Sequence, residues 1–131
     1  MAANYCPFER AVQTVHFSCA QSQRTFIGEK ENIICTNLNA RTSCIELVKL
    51  LKKNARFALK LAKHTSVLTH GQEMKLKCGG IQGIQALLNK PASAHDIYSL
   101  IEDVLSEYGA LTKLPFPEIM RVVSEYRLRR Q

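Results

Sequence analysis

Four of the five cysteines in this 131-residue chain, Cys6, Cys19, Cys35 and Cys44, fall within its first 44 residues. Thiolates are soft ligands, and four that reach one point can hold a metal ion or an iron–sulfur cluster. The gaps between them are 12, 15 and 8 residues. Zinc fingers and ribbons use close C-x2–4-C pairs, because one tight turn then presents two sulfurs to one ion; this chain has no such pair. Long gaps suit ligands carried on separate elements around a wider centre. The expected cofactor is therefore an iron–sulfur cluster, with Zn as the alternative, and four cysteines are the usual ligands of [4Fe–4S] and [2Fe–2S] centres. The gaps also differ from the close-spaced runs of common ferredoxins. Two further residues stand as substitute ligands: His16, three residues before Cys19, and Cys78, beside Gly79-Gly80.

A buried cysteine is often only a small hydrophobe, and Cys19 and Cys44 both fall on apolar stripes. Placement favours ligation. Cys6 precedes Pro7 and Cys44 follows Ser43, both at expected helix starts, where free N–H groups and the helix dipole favour a thiolate.

Those cysteines must be positioned by local elements. Pro7 opens an expected helix over residues 7–22, with Phe8, Val12, Val15 and Cys19 on one stripe. Thr25-Phe26-Ile27 and Ile33-Ile34-Cys35 read as two short strands about a turn at residues 28–32. The longest helix is expected over residues 43–63, opened by the capping-box pattern Ser43-Cys44-Ile45-Glu46. On it Lys49, Lys52, Lys53, Arg56, Lys60 and Lys63 share an arc of about 100°, opposite Cys44, Leu47 and Leu51. Residues 64–72 read as a loop. Met74, Leu76 and Cys78 alternate with lysines as in a short strand, ended by Gly79-Gly80 ahead of a short helix. The Gly79-Gly80-x-x-Gly83 stretch lacks phosphate-loop spacing and reads as a tight turn with close helix packing. The C-terminal part, residues 93–130, reads as an antiparallel hairpin of two helices, with Gly109 ending the first and Pro117 opening the second. The expected fold is mainly α, about five helices with a small β element. It forms a compact single domain whose basic, cysteine-bearing part covers residues 1–90.

Composition bounds the function. A balance of 46% hydrophobic and 22% charged residues is that of an ordinary globular domain. The net charge is +7, and residues 1–90 carry 13 Lys and Arg against 5 Asp and Glu, while residues 91–131 carry 5 against 6. The basic helix 43–63 is then either a solvated face or a footprint for nucleic acid or an acidic protein partner. Its cations are mostly Lys rather than Arg, which argues against sequence-specific readout. The N-terminus lacks the basic and apolar regions of an export signal, and no membrane span is present. A cytoplasmic, reducing setting is expected, in which five cysteines remain thiols or ligands. No G-x-S-x-G, H-E-x-x-H or paired-carboxylate motif occurs, so an enzyme is disfavoured. The expected role is electron transfer or redox sensing. The alternative is a metal-free or zinc-stabilised binding module that uses its basic helix.

Overall fold

Helical periodicity dominates the chain. The computed structural model describes residues 4–14, 16–58, 68–91 and 93–126, and among them it shows five α-helices and one two-stranded antiparallel sheet. Together they form one compact, mainly helical domain, as expected.

The first helix, α1 (Glu9–Val12), is a single turn rather than the expected run to residue 22. Local side-chain bonds end it. The Thr14 hydroxyl donates to Ala11 O at 2.7 Å and accepts from His16 N–H at 3.2 Å, an alternative to continuing the helix. Phe8 and Val12 are buried as the stripe requires; Val15 lies outside the described residues.

The β element is a hairpin, β1 (Ser22–Ile27) against β2 (Lys30–Cys35), with Ser22 opposite Cys35 and Ile27 opposite Lys30. Gly28-Glu29 makes the turn. Gly28 has φ +65°, which the first position of a II′-type turn demands and a side chain resists. On the other side of β2, Tyr5 bridges Ile34, so the N-terminal segment runs beside the strand. Cys6 N–H donates to Ile33 O at 2.9 Å and Cys35 N–H to Asn4 O at 2.7 Å, which brings those two cysteines close in space.

Helix α2 (Leu38–Ala58) starts ahead of the Ser43 pattern. Asn37 provides the start instead. Its side-chain oxygen accepts from Ala40 N–H at 3.0 Å and its carbonyl from Arg41 N–H at 2.9 Å. Cys44 therefore lies inside the helix, not at its first position. Cys44, Leu47, Leu51 and Ala55 form the buried face, while Lys49, Lys53 and Arg56 are exposed on the opposite one. The expected continuation to residue 63, with Lys60 and Lys63, lies outside the described residues.

Residues 74–78 are not a strand. They belong to α3 (His70–Leu87), which starts at a reciprocal capping box: Gln72 N–H donates to Thr69 Oγ1 at 3.1 Å, and Thr69 N–H to Gln72 Oε1 at 2.9 Å. From Cys78 to Gln85 nearly every residue is buried, the mark of a central helix apolar all round. Gly79 and Gly80 do not end the element; they admit neighbours.

The remaining helices are α4 (Ile97–Tyr108), closed by Gly109 at φ +85°, and α5 (Phe116–Glu125), with Pro117 in its first turn. They do not pair as a hairpin: no contact joins α4 and α5. A 3₁₀ turn, Leu111–Lys113, turns the chain between them, with Leu111 and Leu114 buried. α5 lies mainly along the glycine face of α3, and α4 packs on α2, α3 and the 3₁₀ turn. The glycines explain the choice, since they let the α5 backbone come within reach of α3 as no side-chain-bearing face would.

Candidate functional site

The four N-terminal cysteines converge. Cys6, Cys19, Cys35 and Cys44 all line one cavity of about 360 Å³. Cys6 comes from the turn ahead of α1, Cys19 from the irregular segment before β1, Cys35 from the end of β2 and Cys44 from the second turn of α2. Helix α4 closes the far wall with Ile97, Tyr98, Ile101, Glu102 and Leu105. Asn37, Asn39, Ser22 and Ser43 add polar edges. Cys6, Cys35 and Cys44 are buried and Cys19 is half-buried; all five cysteines are free thiols.

Backbone donors aim at the sulfurs. Phe8 N–H is hydrogen-bonded to the Cys6 sulfur, and Gln21 and Tyr98 N–H to that of Cys19. Such bonds stabilise charge on a ligating thiolate. The Cys35 thiol donates to Asn37 O at 3.2 Å. Without a metal, burial outweighs these donors at Cys6 and Cys19. Burial pushes Cys6 up to about 11 and Cys44 well above the ordinary thiol range, the neighbouring cysteines adding to the rise at Cys44. Burial also raises Cys19. The expectation that helix starts alone favour thiolates here is thus corrected: Cys44 is not at one, and desolvation dominates at Cys6.

A pH dependence follows. Below about pH 9, the ordinary thiol value, folded and unfolded chains both keep these protons. Above it the unfolded chain loses them while the folded chain does not, so the metal-free fold loses stability as pH rises. Cys6, only 9% exposed, should account for about 2 kcal/mol between pH 9 and 11, the slope reaching at most about 1.4 kcal/mol per pH unit, and Cys44 adds to it. Urea midpoints measured from pH 8 to 11 check this; a profile that Cys6→Ala and Cys44→Ala fail to flatten would contradict it.

The other expected ligands stand apart. His16 is exposed and does not line the cavity. Cys78 is buried in α3, where burial raises its pKa against the pull of a hydrogen bond from Tyr126. Among the described residues, no group of three or more His, Cys, Asp or Glu is placed to hold a single metal ion as the protein stands. The basic stripe runs along the face of α2 opposite Cys44. Lys52 there lies 3.8 Å from Glu73, which also meets Lys77 at 3.2 Å; these cations hold the Glu73 carboxyl below its usual value despite partial burial.

The α4 wall was not legible from the cysteine pattern. Its residues lie more than fifty positions beyond Cys44, and Asp96, at the start of that helix, caps no backbone N–H of it. No family model, curated protein or solved structure matches the chain.

Proposed function

We propose that the four-cysteine cavity binds an iron–sulfur cluster, of the [4Fe–4S] type, and that the protein serves electron transfer or redox sensing. The observation that carries this is the convergence of Cys6, Cys19, Cys35 and Cys44, from four separate elements, on one cavity. A lone zinc ion with bonds of about 2.3 Å requires its sulfurs almost in mutual contact. A cluster keeps its ligands farther apart, and the four cysteines line a cavity of about 360 Å³. When bound, the cluster supplies one-electron chemistry. The protein's part is to ligate through the four sulfurs and to donate from Phe8, Gln21 and Tyr98 N–H to two of them. Ile97, Ile101 and Leu105 limit water access, and exposed Asn39 and Glu102 mark the mouth.

The exposed cations Lys49, Lys53 and Arg56 then offer a separate docking face for an acidic protein partner, or for nucleic acid in a sensor. Free thiols in this number suit a reducing, cytoplasmic setting. No helix among the described residues is long and apolar enough to cross a membrane.

Anaerobic reconstitution with ferrous iron and sulfide tests the proposal. The expected product carries iron and sulfide in equal amounts, with broad visible absorption. Tight zinc in place of iron would overturn the cluster, and no metal uptake would leave the basic helix as the functional element of a metal-free binding module.

A further inference from the structure

The Cys19 segment has no regular structure of its own, and the start of α4 holds it. Ser18 N–H donates to His95 O at 3.0 Å, and Ile97 N–H donates to Ser18 O at 2.8 Å. The Ser18 hydroxyl and His95 Nδ1 are 2.9 Å apart. Ala20 N–H donates to Asp96 Oδ1 at 2.9 Å, while Asp96 Oδ2 accepts from the Ser99 hydroxyl at 2.9 Å. Both residues that flank Cys19 are thus bonded to one short stretch, and the next residue of that stretch but one, Tyr98, directs its N–H to the Cys19 sulfur. The other three cysteines have different supports. Backbone bonds along β2 hold Cys6 and Cys35, and α2 itself holds Cys44.

Asp96 occupies the N-cap of α4, where a carboxylate ordinarily bonds its own helix N–H groups. Here it bonds none of them and instead accepts from a segment 76 residues away. We infer that Asp96 is a positioning residue: it holds the Cys19 segment so that the sulfur faces the cavity, and thereby sets how readily Cys19 leaves a bound centre. The second half rests on the cluster proposal; the first does not. Cys19 is also the half-buried cysteine of the four, so it is the ligand that solvent or a chelator reaches first.

The test uses Asp96→Ala and Ser99→Ala in the full chain, with two readouts. One is the alkylation rate of each cysteine in metal-free protein, followed by mass spectrometry. The other is iron release to a chelator from reconstituted protein. In Asp96→Ala, Cys19 should be alkylated several-fold faster while Cys6, Cys35, Cys44 and Cys78 keep their rates. Iron should leave about tenfold faster, the lower end of what losing an outer-shell partner costs in metal affinity. Ser99→Ala, which frees the carboxylate to turn, should shift both in the same direction by less. A purely structural role would raise labelling at every cysteine alike; that result in Ser99→Ala, or wild-type labelling of Cys19 in both variants, overturns the inference. If Asp96→Ala exposes Cys78 as well, its fold is lost and Ser99→Ala decides. If the unaltered protein takes up no iron, the cluster proposal fails, and alkylation alone still judges Asp96.

Discussion

Alanine at Cys6, Cys35 or Cys44 should abolish iron retention, whereas alanine at Cys78 should leave it intact. Losing an outer-shell partner typically costs about 10–100-fold in metal affinity, and losing a direct ligand should cost more. Any of these changes also removes a buried sulfur, so fold loss must be separated from ligand loss. Cys78 provides that control: it is 0% exposed against 7% for Cys44, so its removal disturbs packing at least as much. Equal iron loss from Cys78→Ala and Cys44→Ala would therefore point to packing and remove the ligand assignment. His16→Ala, at an exposed position off the cavity, should retain full iron. Cys19→Ser should fall between, because its half-buried site leaves room for a poorer oxygen ligand. Iron and sulfide per chain, with the visible spectrum, give the measurement.

How much of this was open to sequence reasoning varies by element. The cysteine grouping was legible because the number of cysteines and their crowding into residues 6–44 pointed to one shared place, and the four line one cavity. The two short strands were legible, but not their length: residues 30–32, expected in the turn, belong to β2, and Gly28-Glu29 alone makes the turn. Helix starts were harder. Asn37 and Ser43 both carry cap chemistry, and no local rule decides between them. The hairpin does, by ending at Cys35 and delivering the chain to Asn37 two residues later. The alternation of Met74, Leu76 and Cys78 is too short to separate a strand from a buried helix. The glycine pair that followed looked like a stop, although its purpose depends on α5, some forty residues on. The α4 wall and the Asp96 contact are wholly tertiary. They arise where a distant helix meets a segment with no periodicity, and neither leaves a trace in spacing.

Gly79→Ala should destabilise the protein, and Gly71→Ala in the same helix should not. Helix propensity alone favours alanine over glycine by about 1 kcal/mol in a helix interior. At Gly71 nothing lies within 4 Å of an added Cβ, so the change should stabilise by up to about that amount. At Gly79 the same atom would sit 2.8 Å from Val123 Cα and 3.1 Å from Tyr126 Cβ. The obstacle is the α5 backbone, which can retreat only by opening the seam that holds Ile119, Val123 and the Cys78–Tyr126 hydrogen bond. Overpacking of that kind costs about 1–3 kcal/mol, and against backbone its upper part applies, so the propensity gain is outweighed and a net loss of up to about 2 kcal/mol remains. Gly80→Ala is the instructive intermediate. Its Cβ would meet Leu51 Cδ1 at 2.8 Å, the far end of a side chain that can turn aside, so gain and cost should nearly cancel. For a chain of this length each kcal/mol shifts the thermal midpoint by about 3–6 °C. Thermal unfolding of the metal-free variants should therefore rank them Gly71→Ala, Gly80→Ala, Gly79→Ala in falling order. A Gly79→Ala protein as stable as Gly71→Ala would mean that α5 does not rest on the glycine face of α3, and with it would go the reason α5 leaves α4 unpaired.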